Sequence, residues 1–571
     1  MEHLKTVGIV REIKNKWERR CALTPQEVKI LVDDGIRVFI QSSPNRCYQD
    51  EEFLEAGAEI QEDLSSCDVI FGVKEVPIEN LIPNKTYFFF SHTIKAQEYN
   101  MPLLDAMLEK KIRQIDYECI RENKEVNPQR LVAFGRYAGI AGAFDFFRGV
   151  GEFLLQKKIQ TPFIFLGSAY MYEDYEAMSD ALKRVAKNIA KVGTPKQYSP
   201  MVFAVTGTGR VAQGIIEVLE QLPHVFVDPD ELKDVANNYD NKKIIISQFT
   251  GKHLVKHKEG NEFSKSDYYA HPNNYESKFI DYLPFVHFII NGIYWEAKYP
   301  RILSIEELRE AVLEKRSALL GVCDISADYM GSIEFTTQFT SIENPFLLYE
   351  PIKEEFFEKM QDATDNTILF HSVDHLPAEM PKEASNHFGE KLLPFVKQVV
   401  NSDPNLLFEE QNDLPPEIRN AVICAHGKLT PAYEYIEELR KIRQQAKKHQ
   451  EDYMNKVKEA ERKTSSLRRG MRFATVVFQG HLFDTKFFNK LIDILEENKI
   501  DFRVVEWEVG NQSAKSSQVT LQLFAQDTES MDRSKETIEK LAAIHKIEIF
   551  EGTGPAFENQ ITKDIHQDRV L

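Results

Sequence analysis

Val202-Phe-Ala-Val-Thr-Gly207-Thr-Gly209-Arg210-Val211-Ala212-Gln-Gly214 is an apolar strand that runs straight into closely spaced glycines and then into a helical pattern. Gly207 allows a tight turn there, and Gly209 lets backbone amides approach a pyrophosphate at the helix N-terminus. Ala212 takes the place of a third glycine, where helix and strand must pack closely. Arg210 and Val211, which open the helix, complete the expected cofactor-binding set. The spacing alone is a weak signal. Its strand–turn–helix context favours a dinucleotide site over a packing turn that binds nothing.

Some twenty residues further on, Val225-Phe-Val-Asp228 reads as a strand ending in a carboxylate, the place where an adenosine ribose is held. A carboxylate there favours NAD(H), because it repels a 2′-phosphate. The alternative is that Asp228-Pro229-Asp230 simply caps the next helix. The strand series continues through Ile244–Ile246, Val286–Ile290 and Ala318–Ile325, which makes this unit an α/β domain.

Upstream, strands at Val7–Val10, Arg37–Gln41, Val69–Val73 and Tyr87–Ser91 alternate with helices, one of them begun by Thr24-Pro25. A second parallel sheet follows from that alternation. Gly139–Lys157 is apolar and Gly-dotted, as a helix buried between domains would be. After Ser326 the chain is expected to return to the first domain, with Asp374-His-Leu-Pro as a loop and Phe388–Val400 as a helix. Tyr433–Arg469 is rich in Glu, Lys, Arg and Gln and reads as a charged helical connector. The tail reads strand–helix–strand–strand–helix–strand over Phe473–Gln479, Lys486–Asn498, Asp501–Val509, Ser517–Ala525, Asp532–Ile544 and Lys546–Phe550. That order suggests a ferredoxin-like α+β domain. The expected domains are thus residues 1–138 with 331–430, residues 139–330, a connector at 431–470 and a tail at 471–571. Two Rossmann-like α/β lobes and a C-terminal α+β domain make up the fold class.

A chain of 571 residues needs several cores. Its net charge of −18 argues against nucleic acid and anionic membrane as partners, since both select Lys and Arg. The six cysteines form no Cys-x-x-Cys pair, so a reducing compartment is expected and no metal site is read. The opening Met1–Val10 enters a strand almost at once, which favours the cytoplasm over an exported or organellar address.

Two strands of the first domain end in polar groups. Phe71-Gly-Val-Lys74 leaves Lys74 at a strand end, and Phe89-Phe-Ser-His92-Thr-Ile-Lys95 leaves His92 and Lys95 at another. Ligands bind at the ends of parallel strands, and lysine with histidine can act as a proton-transfer pair. A surface lysine and a satisfied histidine remain the bland alternative. Arg20, in Trp17-Glu-Arg-Arg-Cys-Ala-Leu-Thr-Pro, can hold a carboxylate bidentately or stand as a solvated charge.

Together these segments resemble the alanine dehydrogenase and saccharopine dehydrogenase superfamily. More narrowly, Phe-Phe-Ser-His92-Thr-Ile-Lys-Ala-Gln97, Thr-Gly207-Thr-Gly209, Asn291-Gly-Ile-Tyr-Trp-Glu296, Cys-Asp324-Ile-Ser-Ala-Asp328 and Gly331-Ser-Ile-Glu-Phe335 resemble the lysine–2-oxoglutarate reductase part of the bifunctional alpha-aminoadipic semialdehyde synthase family. The tail, from Gln479-Gly-His-Leu-Phe-Asp484, looks like the region linking the two enzymes of those proteins. The resemblance implies condensation of lysine with 2-oxoglutarate to saccharopine, with a nicotinamide cofactor. It implies Lys74 and His92 as the acid/base pair, Arg20 and Lys95 toward the substrates, and Asp324 near the nicotinamide. It also implies NADP(H) ahead of NAD(H), against the charge argument at Asp228. A homo-oligomer, or association with a separate saccharopine-cleaving dehydrogenase, fits the family, and some of its members are mitochondrial. Met330 departs from the family pattern, standing where a glycine is usual, and so does Arg148, where histidine is expected. Two rival readings are an inactive paralogue serving as a scaffold and a dehydrogenase for another amine and 2-oxo acid.

Overall fold

A computed structural model describes residues 5–124, 128–235, 240–441, 472–480, 487–508, 517–525 and 528–552. The chain divides into one unit to Arg440 and a second from Lys441.

The first unit is mixed α/β and holds two eight-stranded, mainly parallel sheets. In the first sheet Thr6–Ile9 lies between Arg37–Ile40 and Val69–Phe71, and Thr86–Phe88 and Arg113–Ile115 continue it in parallel. The hairpin Val422–Ala425 with Lys428–Leu429 closes one edge antiparallel. Helix Pro25–Asp33 starts where Thr24-Pro25 requires: the Thr24 N–H donates to Glu27 Oε2 at 2.9 Å in a capping box.

The second sheet carries the glycine turn. Val202–Thr206 pairs in parallel with Phe288–Asn291 on one side and Ile244–Phe249 on the other. Gly321–Asp324 and His224–Phe226 extend it in both directions. Here the sequence expectation needs correction. The chain does not leave this domain after Ser326, and residues 331–373 do not belong to the first lobe. Ile368–His371 pairs in parallel with Gly321–Asp324, and Leu347–Glu350 and Glu355–Phe357 add two antiparallel strands beyond it. Burying Leu348, Leu369 and Phe370 against the second sheet's own core holds the segment there.

Two helices join the lobes. Gly135–Gln156 starts four residues before the expected Gly139 and packs on Arg210–Leu219. Their backbones nearly touch: a Cβ on Gly214 would sit 2.0 Å from the Arg136 carbonyl oxygen. Only glycine allows that approach. The second crossing follows His371 and runs into helix Pro381–Asn401, whose Phe388, Leu392 and Val396 enter the first lobe's core. Phe134 and Phe388 stack at the crossing, with ring centroids 4.6 Å apart.

The second unit contains strands Arg472–Gly480, Asp501–Glu508, Ser517–Ala525 and Glu548–Gly552 with helices Phe487–Glu497 and Thr528–His545. Its sheet is antiparallel, ordered second–third–first–fourth. Ala474, Val476 and Phe478 point from the first strand into this unit's core, at the period of two that a strand imposes. The later helix begins four residues before the expected Asp532, because Met531 is buried and draws the polar Thr528–Ser530 turn into the element. Of the expected charged connector, residues 435–441 are helical, and residues 442–471 lie outside the described set. Among the described residues no helix is long and apolar enough to cross a membrane.

Candidate active site

Gly207 adopts φ +91°, the left-handed turn that the motif requires. Gly209 is the N-cap of helix Arg210–Leu219, and a Cβ there would meet nothing within 4 Å. The turn therefore leaves an open cradle before a helix N-terminus, as a pyrophosphate needs. Arg210 is exposed and Val211 half-buried beside it.

Asp228 caps its own turn, with Oδ1 accepting from the Asp230 N–H at 3.1 Å. Its carboxylate still faces outward, with Lys252 Nζ 3.8 Å away and His253 Nε2 3.5 Å away. Asp228, Asp230 and His253 bring three ligand-type atoms within 4.8 Å. However, His253 Nδ1 accepts from the Thr250 N–H at 3.2 Å, which puts the imidazole proton on Nε2. That nitrogen faces the carboxylates as a donor, not as a lone pair for a metal.

Asp324 is fully buried at its strand end, and both carboxylate oxygens are bonded. Asn291 Nδ2 (2.8 Å) and Ser326 Oγ (2.6 Å) donate to Oδ1, and Thr336 Oγ1 donates to Oδ2 at 2.7 Å. Thr206 Oγ1 donates to Asn291 Oδ1 at 2.6 Å. This network ties together three strand ends beside the glycine turn. A nucleotide would meet its rim at Ser326, because the Asp324 carboxylate is enclosed.

In the first lobe the expected residues gather with three carboxylates that sequence reasoning missed. Arg20 is buried and paired to Glu18, Nε to Oε1 at 2.8 Å and Nη2 to Oε2 at 2.5 Å, with its guanidinium 4.2 Å over the Phe134 ring. Burial pushes the Glu18 carboxyl up, but the charges of Arg20 and Lys74 outweigh it and hold it below its usual range. Glu12 accepts from the Val73 N–H at 2.6 Å and the Lys74 N–H at 3.1 Å. Burial and the neighbouring Glu18 charge push its carboxyl up to about 7. Burial and the Arg20 charge hold the Lys74 ammonium below its ordinary value, against the pull of Glu18 and Glu75. A cavity of about 310 Å³ opens between Glu12, Lys74 and Glu75.

Glu75 joins the two halves of the cluster. It accepts from Lys14 Nζ at 2.7 Å, and its Oε1 lies 2.8 Å from His92 Nδ1. Burial raises its carboxyl, but these two partners more than offset that and bring it down to about 2. His92 itself has φ +53°, left-handed backbone for a non-glycine residue. The loop that imposes this is pinned on both sides. Ser91 donates its N–H (2.9 Å) and Oγ (2.5 Å) to the buried Asp116, and Asn100 Nδ2 donates to the His92 carbonyl at 2.8 Å. Lys95, exposed, lies within electrostatic reach of Asp328 and Glu296 on the second lobe. The signals for the missed acids were adjacency alone: Glu75 follows Lys74, and Glu18 stands two before Arg20.

The crossing segment adds His375, whose Nε2 is buried with no hydrogen-bond partner. Burial holds its imidazolium below the usual range, and Lys74 and Arg20 add to that effect. Behind it, Asp145 and Glu379 form a buried carboxyl pair. Burial pushes Asp145 up to about 6, and burial with the Asp145 charge raises Glu379 further. Arg148 stands outside the cluster, its Nε 2.8 Å from Glu152 Oε1 and its Nη1 bonded to Ser168. Met330 has φ +47°, a left-handed backbone that favours glycine.

A glycine cradle on one lobe and a cluster of acid, base and cation on the other are the parts a dinucleotide-dependent oxidoreductase needs, and comparison with known proteins places the chain among oxidoreductase homologues. The alanine dehydrogenase/PNT N-terminal domain model matches residues 8–141, and the LOR/SDH bifunctional enzyme conserved region matches residues 473–563. The alpha-aminoadipic semialdehyde synthase of Arabidopsis thaliana is 35% identical over 555 residues, covering 94% of this chain and 50% of that protein. The mitochondrial alpha-aminoadipic semialdehyde synthase of Bos taurus is 38% identical over 460 residues, 78% of this chain and 49% of that protein. A Candida glabrata saccharopine dehydrogenase (NAD(+), L-lysine-forming) is 25% identical over 392 residues, 67% of this chain and 88% of that protein. The chain is thus a homologue of the alpha-aminoadipic semialdehyde synthases, with an alanine dehydrogenase/PNT-type N-terminal segment, and spans about half the length of the two synthases it matches.

Proposed function

We propose that the chain is a lysine–2-oxoglutarate reductase, condensing the ε-amine of lysine with the 2-oxo carbon of 2-oxoglutarate to form saccharopine. The observation that carries the reading is the Lys74–Glu75–His92 arrangement beside the buried Arg20–Glu18 pair, in a homologue of the semialdehyde synthases. Gly207, Gly209, Arg210 and Val211 would hold the pyrophosphate, with Asp228 at the adenosine and the Asp324 network at the nicotinamide end. When bound, the nicotinamide supplies the hydride that reduces the carbon–nitrogen double bond.

The chain's own residues handle charge and protons. His92, oriented through Nδ1 by Glu75, presents Nε2 to protonate the hydroxyl that leaves as water. Lys74 acts as a fixed cation on the oxo acid. Arg20 adds Nη1, because its Nε and Nη2 are committed to Glu18. Lys95 closes toward the second lobe and guides an anionic substrate into the cleft. NADP(H) is placed ahead of NAD(H): Lys252 sets a positive charge 3.8 Å from Asp228, where a 2′-phosphate would lie. A saccharopine-cleaving dehydrogenase is the natural partner, because the product, formed by reduction, must be oxidised at its bridging amine to release an amino acid.

Mass spectrometry of the product formed from ε-nitrogen-15 lysine tests the reading. Saccharopine carrying the label at its secondary amine is expected. A product retaining an unlabelled bridging nitrogen, or none from this pair of substrates, contradicts it.

A further inference from the structure

The loop at residues 41–49, which follows strand Arg37–Ile40, folds back on the stretch that carries the Arg20–Glu18 pair. The Cys47 N–H donates to the Arg19 carbonyl at 2.9 Å, and Asn45 Nδ2 donates to the carbonyls of Lys16 (3.0 Å) and Glu18 (3.3 Å). This contact brings two free cysteines together. Cys21 donates its N–H to Ser385 Oγ at 3.0 Å, and Cys47 Sγ lies 3.8 Å from the same oxygen. The two thiols are also hydrogen-bonded to each other.

A thiol reacts as its thiolate, so the group held lower in pKa attacks first. The hydrogen bond from Cys21 holds the Cys47 thiol below its ordinary value against the effect of burial, and Ser385 and the Arg19 charge help. The same bond and burial push Cys21 well above its ordinary value. Cys47 is thus the nucleophile of the pair and Cys21 the resolving thiol. Cys47 is only 5% exposed, but it sits on a surface loop between the exposed Pro44 and Gln49, within reach of a small oxidant. Cys119 is more open yet poorly reactive, because burial and the Asp116 charge push its thiol up to about 12.

We infer that Cys21 and Cys47 are a redox-responsive pair, which hydrogen peroxide closes to a disulfide that displaces the neighbouring Arg20. The Cys47 sulfur attacks one peroxide oxygen and the O–O bond breaks. The departing hydroxide takes the thiol proton and leaves as water, and Cys47 becomes a sulfenic acid. The Cys21 sulfur then attacks the Cys47 sulfur, and the S–O bond breaks to release a second water with the Cys21 proton. Two thiols are oxidised to a disulfide and one peroxide is reduced to two waters. Covalent closure draws Cys21 toward the loop, and Arg20 precedes it in the chain with its guanidinium locked to Glu18. The kinetic consequence rests on the reductase reading above; the bond itself does not.

The full chain, fully reduced and then treated with hydrogen peroxide, tests both parts. Alkylation under denaturing conditions and peptide mapping should find Cys21 linked to Cys47 and the other cysteines still alkylated. Oxidation should raise KM for 2-oxoglutarate about tenfold or more, since a misplacement of about 1 Å can cost about a hundredfold, and a dithiol reductant should restore it. Cys47→Ser should keep the KM of the reduced protein and lose the response to peroxide. Both thiols still free after peroxide, or a Cys21–Cys47 bond that leaves KM unchanged, overturns the inference. A wild type that forms the bond but turns over neither substrate leaves the redox pair standing and contradicts the reductase reading instead.

Discussion

Arg20 and Glu18 form a buried two-pronged ion pair, Nε to Oε1 at 2.8 Å and Nη2 to Oε2 at 2.5 Å, lying against the Phe134 ring. Arg20 is thus not a solvated charge waiting for a carboxylate. Its plane is set by Glu18 and by the aromatic ring at the crossing between lobes. Any carboxylate it binds must approach an orientation fixed in advance.

Breaking that pair from the acid side should be costly. Glu18→Ala leaves a buried guanidinium without its partner, and removal of one member of a buried pair typically costs about 3–5 kcal/mol. Urea unfolding should show a lower midpoint with unchanged slope. A variant as stable as the parent would show that solvent reaches Arg20.

The proton-transfer role falls on His92. His92→Ala should lower turnover about a hundredfold to ten-thousandfold and leave dinucleotide affinity intact. Glu75→Gln should lower turnover less, because it removes the partner that fixes the ring and not the ring itself. Rapid-mixing turnover assays with fluorescence titration of the cofactor separate the two effects.

At the glycine turn, Gly209→Val fills the open space before the helix and should abolish dinucleotide binding without unfolding the second lobe. Retained affinity in a folded Gly209→Val protein means the cofactor lies elsewhere. Lys252→Ala should weaken NADPH more than NADH, and an equal loss for both removes the case for a 2′-phosphate contact.

How far the sequence could be read depended on the kind of signal. Val202–Thr206 and its glycines were legible because turn, strand and helix each leave a local mark. Thr24-Pro25 was legible for the same reason, through its capping box. The second lobe's outer strands were not. Leu347–Glu350 and Ile368–His371 are four-residue apolar runs, and only tertiary pairing says which sheet takes them. In the site, Lys74 and His92 were found as strand-end polar groups. Glu12, Glu18 and His375 were missed because their meaning lies in burial and partners that spacing does not encode.

The buried pair Asp145 and Glu379 gives stability a pH dependence of predictable sign. Asp145 is pushed up to about 6 in the folded protein and Glu379 is raised as well, so both hold protons more tightly folded than unfolded. Their stability contribution is full below the ordinary carboxyl range near pH 4 and is lost as pH rises through the folded values. Asp145→Asn should therefore stabilise the protein more at about pH 8 than at about pH 5, by a difference on the order of 2 kcal/mol read as a larger rise in melting temperature at the higher pH. An equal effect at both pH values contradicts the raised carboxyl pair.

The most direct measurement is dinucleotide oxidation followed by absorbance with the full chain, lysine and 2-oxoglutarate, each substrate omitted in turn. Expected is oxidation that requires both substrates, runs faster with NADPH than with NADH, and falls about a hundredfold or more in His92→Ala. Dinucleotide binding with no oxidation under any combination of the two substrates would contradict the reductase assignment and leave the chain a binding protein on an enzyme's fold.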